Sequence, residues 1–425
     1  MSVSTIVLLI ISYIFYAVLD PGRLPVLIVM SLFTYLGGRI IFNLRREQKG
    51  NTRIICLAFI AVLVIVLCLF KYVPGLSLPV GMSFYMLMAI SFLADVERNE
   101  YESLPSVWEV LLYVSFFPTV ISGPIMKSKE LIPQFANRKK LDANRLSDGL
   151  WMFAIGLFIK LVMADRLAVA VDKVYSAPLV YSGLTLFVTS IAYTLQLLFD
   201  FAGYSYMAIA AAHVIGFDLM QNFNLPYMST NPSEFWRRWH ISLSSWLKEY
   251  VYIPLGGSRK GVARTYINIL LVMIVSGLWH GSTINFFIWG VLHGLGQMVH
   301  RAVTSGKKKD ATGNSVRIFS MILNFLFVSF LWIPFRVNTL SETMTIITRI
   351  FTFADGASYY YVYTFIFAAA LLIVQFIGAK RFDGNDPLRP LPLDKMYGRI
   401  IFCVLLIATA MFAYFGNGAF IYAKF

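Results

Sequence analysis

Residues 232–261 read PSEFWRRWHISLSSWLKEYVYIPLGGSRKG, and an apolar run then leads to GLWHG at 277–281 and WGVLHG at 289–294. These three motifs contain three of the five histidines of the chain. On a helical projection of the first motif, the large apolar side chains share one arc: Phe235, Trp236, Trp239, Leu243, Trp246, Leu247 and Tyr250. Polar and charged residues lie opposite: Arg237, Arg238, Ser245, Lys248 and Glu249. This pattern predicts a single helix lying in the interface of a membrane.

Two histidines of these motifs are expected in apolar surroundings. His240 falls at the edge of the apolar arc, so its ring is expected to point toward the bilayer or a cavity. His280 closes the apolar run 266–279, where an ionisable side chain needs a partner or a water-filled pocket. Histidine is suited to general base catalysis near neutral pH, so both are candidates for accepting a proton. The alternative is that both only hydrogen-bond between helices.

A third motif histidine, His293, follows His280 on the C-terminal side. If one helix ran through both residues, they would be about 20 Å apart and on different faces. We therefore expect His293 to have a supporting or structural role. His300, beside Arg301, is expected to lie at the membrane interface.

The composition is that of an integral membrane protein. Of 425 residues, 58% are hydrophobic and 14% are charged, and the mean hydropathy is +0.70, which excludes an ordinary soluble domain. We expect an all-α polytopic fold in one transmembrane domain over 1–425, with about ten to twelve spans plus re-entrant and interfacial pieces. Apolar runs of roughly spanning length occur near 3–19, 24–42, 54–70, 79–94, 107–126, 149–164, 183–199, 203–217, 265–279, 283–299, 316–335, 359–379 and 398–415.

The net charge of +14 is concentrated in connections between apolar runs. Clusters of Lys and Arg beside membrane helices usually face the cytoplasm, and this is the simplest interpretation. The same clusters could attract anionic lipid or a phosphate-bearing acyl donor. Their distribution does not indicate a nucleic-acid-binding face. The clusters lie at 39–53, 127–145, 237–264, 301–317 and 380–399.

The sequence contains two other polar sites that require interpretation, at Asp200 and at 213–218. Asp200 stands in the apolar sequence LLFDFAGYS, either at a helix end near headgroups or buried and paired, and it could bind substrate or orient a histidine. The sequence HVIGFD at 213–218 has the His-x4-Asp spacing of the glycerolipid acyltransferases. Because that motif belongs to a fold without many spans, we interpret His213 as an interfacial histidine.

Other catalytic signatures are missing from the sequence. The three cysteines lie in apolar runs without CxxC spacing, which disfavours a disulfide framework or a zinc site. There is also no GxSxG elbow, no Walker-type phosphate loop and no HExxH motif. A serine hydrolase, a nucleotide-driven pump and a zinc protease therefore have no motif support.

The FWRRWH…W…YVYIPLGGSRKG block, with GLWHG and WG..HG, resembles the membrane-bound O-acyltransferases. The resemblance is strongest to the bacterial branch that includes the alginate O-acetyltransferase membrane subunit. One departure is Tyr206, because that branch usually carries an acidic residue there, and any role of that carboxylate must move or be lost. Similar motifs cover most of the chain: LPVGMSFYMLMAISFLADVER at 78–98, FPTVISGPI at 117–125, DFAGYSYMAIAAA at 200–212, QNFNLPY at 221–227 and FIYAKF at 420–425.

This resemblance implies a fold arranged around a central cavity, with a motif core over 196–301. It implies that His280 is the general base and that His240 orients or contacts the substrate. No metal or tightly bound cofactor is expected. The residues expected to bind substrate are Trp236, Arg237, Arg238, Trp239, Trp279, Asp200, Arg259 and Lys260.

The resemblance also implies a multi-pass acyltransferase of the bacterial inner membrane. It would move an acetyl group from a cytoplasmic thioester, acetyl-CoA or an acyl carrier protein, across the membrane for O-acetylation of a cell-envelope or extracellular polysaccharide. Expected partners are membrane lipid, the thioester donor and an extracytoplasmic SGNH-type acetyltransferase, with no nucleic acid. Two alternatives are D-alanyl transfer from a carrier protein to lipoteichoic acid and, from another class, a polytopic transporter.

Overall fold

The computed structural model describes residues 3–304, 313–381 and 393–415, and this part of the chain is almost entirely helical. The all-α fold predicted from the composition is confirmed. The motif at 420–425 and parts of the connections 301–317 and 380–399 lie outside the described residues. The helices are α1 Val3–Leu19, α2 Leu24–Arg46, α3 Thr52–Tyr72, α4 Met82–Glu97, α5 Val107–Ser115, α6 Ser128–Ala136, α7 Ala143–Phe158, α8 Asp165–Tyr175, α9 Gly183–Val214, α10 Pro232–Arg238, α11 Ile241–Leu247, α12 Val262–His280, α13 Ile284–Thr304, α14 Asn314–Arg336, α15 Leu340–Phe351, α16 Val362–Arg381 and α17 Met396–Phe412.

Five helical segments among the described residues are long and apolar enough to cross a membrane. They are Pro21–Arg46, which contains α2, and the helices α3, α9, α12 and α14. Helix α9 joins the predicted runs 183–199 and 203–217 into one helix of 32 residues. The run 107–126 is helical only as far as Ser115, consistent with the proline and glycine residues that follow. The total of ten to twelve spans stays a prediction.

The chain divides into two compact units. Unit 1 comprises the chain up to Gly149 together with Ala208–Met220, and unit 2 comprises Leu150–Met207 and Gln221–Ile421. In unit 1, α4 is buried on nearly all faces and packs against α2, α3 and α5. The single domain over 1–425 stays a prediction.

The most extensive helix pair of unit 2 is the antiparallel pair α12 and α13. Residues 281–283 join the two helices, and glycines let their backbones come close. A Cβ atom on Gly277 would lie 2.2 Å from the carbonyl oxygen of Phe286, and one on Gly290 would lie 2.4 Å from that of Met273. Helix α14 packs against α13, so three helices meet at the end of α12.

The predicted single helix over 232–250 is wrong, because the chain breaks it at Trp239 and His240. Helix α10 ends at Arg238, Trp239 is extended, and His240 takes the left-handed conformation with φ 44° and ψ 54°. The predicted apolar arc is nevertheless buried, since Phe235, Trp239 and Leu243 are at most 1% exposed. Protein of unit 2, rather than the membrane interface, covers this arc.

The break has partners that the local sequence does not contain. The N–H of Asn224 donates to the carbonyl oxygen of Arg238 at 2.9 Å, and the N–H of Ile241 donates to that of Asn222 at 2.9 Å. These bonds satisfy backbone groups that a continuous helix would have paired internally. A helical projection considers only residues 232–250, and therefore it predicts continuity.

Candidate active site

His240 and His280 are brought together by the turn after α10 and the end of α12. Their ring centroids are 6.4 Å apart, and they are 0% and 1% exposed. Trp279 lies beside both rings, with centroid separations of 6.2 Å to His240 and 4.8 Å to His280. Phe201 of α9 makes an edge-to-face contact with His240 at 4.6 Å. The two histidine motifs therefore form one site.

His293 belongs to the same group of rings through Trp289. The Trp289 indole lies 5.2 Å from His280 and 4.8 Å from His293, measured between centroids. A separation of about 20 Å would hold only if one helix ran through both residues. The chain instead turns back at residues 281–283, which makes His293 a neighbour of the site.

A hydrogen bond from Trp236 fixes the protonation of His293. The Nε1–H of Trp236 donates to Nδ1 of His293 at 3.3 Å. Since an indole N–H can only donate, Nδ1 is the acceptor, and a neutral His293 carries its proton on Nε2. This buried Nε2 has no hydrogen-bond partner among the described residues. It is therefore available as a donor to a water molecule or a ligand.

Aromatic side chains from α9, α10, α12, α13 and α14, together with Trp239, enclose the three histidines. Phe335 lies 5.2 Å from His280, and Trp332 lies 6.1 Å from His293. Such an enclosure excludes water and strengthens electrostatic interactions inside it. We call this group the histidine cluster; its members are His240, His280, His293, Phe201, Phe235, Trp236, Trp239, Trp279, Trp289, Trp332 and Phe335.

His240 is held in its neutral form. It lies between α10 and α11, outside the candidate spans, and burial lowers its pKa to about 3. A neutral imidazole has one nitrogen that donates and one that accepts a hydrogen bond. At physiological pH the ring is therefore neutral and can orient a hydroxyl group by a hydrogen bond.

Asp200 is buried, and its carboxylate forms an ion pair with Lys160. The Nζ of Lys160 lies 2.5 Å from Oδ1 of Asp200 and 2.6 Å from Oδ1 of Asp165. The alternative of a buried and paired aspartate is therefore confirmed. A direct contact of Asp200 with substrate stays a prediction, while the next residue, Phe201, contacts His240.

Arg237 and Arg238 have different surroundings. The Nε of Arg238 donates to Oε1 of Glu234 at 3.0 Å, and its Nη1 donates to the carbonyl oxygen of Asn224 at 3.2 Å. Burial by itself raises the pKa of Glu234, but hydrogen bonds from Thr230 and the charge of Arg238 bring it below its usual value. This ion pair therefore persists at neutral pH. Arg237 is exposed and is the more accessible of the two to a charged ligand.

Arg259 and Lys260 lie on an exposed turn that precedes α12. Asn268 holds this turn, because its Nδ2 donates to the carbonyl oxygen of Gly257 at 2.8 Å. Helix α12 has 19 residues, so this turn and His280 are about 28 Å apart along the helix. Both residues therefore lie outside the histidine cluster, and their binding of substrate stays a prediction.

Basic side chains of unit 1 contact the aspartate of the His-x4-Asp sequence. Asp218 accepts a hydrogen bond from Lys139 and lies 3.1 Å from Nη2 of Arg145, whereas its Oδ1 is 3.5 Å from Nδ1 of His213. The carboxylate is thus shared among Lys139, Arg145 and His213 and does not serve His213 alone. The interfacial position expected for His213 stays a prediction.

A model of the membrane-bound O-acyltransferase family matches residues 13–341. The chain belongs to this family. It is 38% identical over 283 residues to the probable alginate O-acetylase AlgI of Azotobacter vinelandii, covering 67% of this chain and 56% of that protein. It is 33% identical over 380 residues to the peptidoglycan O-acetyltransferase of Helicobacter pylori, covering 79% and 71% of the two chains. It is 26% identical over 354 residues to the teichoic acid D-alanyltransferase of Bacillus subtilis, covering 75% and 87%.

The chain spans just over half of the length of the Azotobacter vinelandii protein. All members of the histidine cluster fall inside the range that matches the membrane-bound O-acyltransferase family. Tyr206, at the position where the resemblance implies an acidic residue, is buried on α9.

Several residues of the site were not singled out by sequence reasoning. Trp289 precedes His293 by one helical turn, a spacing that places both on one face of α13, so the motif itself held the signal. Trp332 and Phe335 have no such signal, because α14 has the sequence of an ordinary apolar helix. Only the packing of α14 against α13 brings these two rings to the histidines.

Proposed function

We propose that this chain is a membrane O-acetyltransferase that uses His280 as general base and His240 to orient the substrate. The observation that carries the proposal is the 6.4 Å separation of the two motif histidines inside an aromatic enclosure. The names of two relatives, an alginate O-acetylase and a peptidoglycan O-acetyltransferase, support acetyl as the transferred group. Family membership supports acyl transfer as the reaction class.

In the proposed reaction, a hydroxyl oxygen attacks the carbonyl carbon of a thioester. His280 takes the hydroxyl proton as the new C–O bond forms. The C–S bond then breaks, and the proton passes from His280 to the leaving thiolate, which gives an ester and a free thiol. A positioned general base contributes about 10²–10⁴-fold to such a step. The neutral His240 holds the reacting hydroxyl group by a hydrogen bond.

The exposed basic end of unit 2 supports a cytoplasmic donor that carries phosphates. Arg259 and Lys260 lie there, and Arg237 acts electrostatically on His300 near the end of α13. Arg and Lys bind phosphate groups through charge-assisted hydrogen bonds, and clusters of them usually face the cytoplasm. We infer that the charged part of acetyl-CoA binds at this end, while its thioester extends toward His280.

The burial of the histidines supports a relay to the final acceptor. Both His240 and His280 are at most 1% exposed, so a polysaccharide chain cannot easily reach them. The acetyl group therefore leaves on a smaller carrier to the extracytoplasmic side of the bacterial inner membrane. An SGNH-type partner then completes O-acetylation of a cell-envelope or extracellular polysaccharide.

Reconstitution tests this function. The purified protein in liposomes receives labelled acetyl-CoA and a soluble polysaccharide, with and without the SGNH-type partner, and the label in the polymer is counted. We expect label in the polymer only when both proteins are present and His280 is intact. Efficient polymer acetylation by this chain alone would contradict the relay, and no acetyl release from CoA under any condition would contradict the transferase.

The Bacillus subtilis relative supports a second candidate. That protein is a teichoic acid D-alanyltransferase, so the same chemistry could use a D-alanyl carrier protein and lipoteichoic acid. Replacement of acetyl-CoA by the charged carrier protein in the same liposomes distinguishes the two donors. Transfer of D-alanine in preference to acetyl would favour this second function.

A further inference from the structure

Asn222 is the centre of a buried hydrogen-bond network around the turn that carries His240. Its side-chain Oδ1 accepts a hydrogen bond from the Ser242 hydroxyl at 2.6 Å and another from the Ser242 N–H at 3.4 Å. Its backbone oxygen accepts from the N–H of Ile241 at 2.9 Å. Asn222 is only 1% exposed. Three of its bonds thus fix the two residues that directly follow His240.

The same side chain also binds α9. The Nδ2 of Asn222 donates to the Ser205 hydroxyl at 3.0 Å. Phe201 lies one helical turn before Ser205 and contacts the His240 ring at 4.6 Å. Asn222 therefore ties the backbone after His240 to the helix that supports its imidazole from the side.

His240 needs such support because its backbone is strained. Its φ of 44° lies in the left-handed region, where the Cβ atom of a non-glycine residue comes too close to the following carbonyl oxygen. Residues in this region persist only where the surrounding structure determines them, and they concentrate at functional sites. The bonds from Asn222 to residues 241 and 242 are contacts that hold this conformation.

We propose that Asn222 is a positioning residue for His240, acting through Ser242 and Ser205. This inference rests on the role proposed for His240 and adds the hydrogen bonds that hold its ring near His280. All the contacts of Asn222 described above are internal to the protein, so it acts through His240 rather than on substrate. A displacement of about 1 Å in a reacting group can lower a rate by about 100-fold. Loosening the turn is therefore expected to lower kcat.

A double-mutant cycle measures whether Asn222 acts through His240. The cycle compares Asn222→Ala, His240→Ala and the double variant by kcat and by the KM for the acyl donor. We expect Asn222→Ala to lower kcat by roughly 10- to 100-fold with little change in donor KM. In the double variant, the second substitution should cause no further loss. Losses that multiply would overturn the proposal, because they would show that Asn222 contributes without His240.

Chemical modification gives a readout that does not depend on activity. Diethyl pyrocarbonate modifies neutral imidazoles, and the rate for each histidine is followed by peptide mass analysis. We expect His240 to react about tenfold faster or more in Asn222→Ala, since losing buried hydrogen bonds favours local opening, while His293 is unchanged. Equal rates for His240 in wild type and variant would refute the positioning role, even if the chain transferred no acetyl group.

Two further variants and one control distinguish a specific effect on His240 from general misfolding. Ser242→Ala and Ser205→Ala each remove one partner of Asn222, and each should accelerate His240 modification by a smaller factor. Asn324→Ala is the matched control, because Asn324 is also buried and its Nδ2 donates to the carbonyl oxygen of Ser229 at 3.1 Å and not to residue 241 or 242. Faster His240 modification in the control would mean general loosening and would count against the proposal.

Discussion

The imidazole of His240 lies 6.4 Å from that of His280, between ring centroids, although the two residues lie in separate segments of the chain. His240 follows α10 in a strained turn, and His280 ends α12. The pair sits in an enclosure of tryptophan and phenylalanine rings, where a hydroxyl group and a thioester could be held apart from water.

Removal of the His280 imidazole should abolish most acyl transfer. We expect His280→Ala to lower kcat by about 10²–10⁴-fold, the contribution of a general base, and His240→Ala to cause an equal or smaller loss. The measurement is acetyl release from acetyl-CoA by protein in liposomes, normalised to the amount of folded protein. His213→Ala serves as control and should retain activity. A His280→Ala protein that formed product at the wild-type rate would refute the assignment.

The turn before α12 should face the cytoplasm. A cysteine introduced as Ser258→Cys is expected to resist a membrane-impermeant maleimide in intact cells and to react after the cells are opened, because basic connections remain on the cytoplasmic side. Ser258 is exposed, so its reactivity reports topology rather than burial. Labelling from outside intact cells would place the basic end on the other side of the membrane.

Charge reversal at this turn should weaken donor binding without affecting the chemical step. Arg259→Glu with Lys260→Glu is expected to raise the donor KM by about 3- to 30-fold through lost phosphate contacts. Because the turn is about 28 Å from His280 along α12, kcat should change little. Arg138→Glu with Lys140→Glu, exposed residues of unit 1, provide the matched control. An unchanged KM in the first variant would exclude the turn from donor binding.

The close pairing of α12 and α13 should depend on Gly290. In Gly290→Ala the new Cβ atom would lie 2.4 Å from the backbone oxygen of Met273, so the helices must separate. Such overpacking costs about 1–3 kcal/mol, and we expect a lower unfolding temperature in detergent together with reduced activity. Gly22→Ala meets no atom within 4 Å and should unfold like the wild type. Equal unfolding temperatures for both variants would contradict the tight pairing.

The buried neutral His240 should make stability depend on pH. Its pKa is about 3 in the folded protein and 6.5 as a free side chain, so between these values the unfolded chain binds a proton that the folded chain does not. The contribution of His240 to the free energy of unfolding should therefore be at its full value above pH 6.5 and decrease toward pH 3, by at most about 1.4 kcal/mol per pH unit. His240→Gln should flatten this slope. The same slope in both proteins, from chemical unfolding in detergent, would show that His240 is not held neutral.

Much of the site was predictable from the motifs. The GLWHG motif predicted that His280 lies at the end of an apolar helix, and α12 does end at His280. The WRRWH sequence predicted that His240 lies in apolar surroundings, and its side chain is buried. The burial of Trp236 and Trp239 also follows from the apolar arc on a projected helix. The exposed positions of Arg259 and Lys260 agree with a polar connection, but their distance from His280 required the length and direction of α12.

The sequence by itself determined that the chain is a helical membrane protein, which segments are apolar enough to be helices, and which histidines stand in apolar surroundings. These properties depend on composition and on periodicity within a few turns, which local sequence contains. Only the tertiary structure decided that the helix breaks at His240, that Trp289 links His280 to His293, and that Asn222 holds the turn. Each of these depends on hydrogen-bond partners or packing surfaces supplied by distant residues, whose energies outweigh the local preference for a continuous helix.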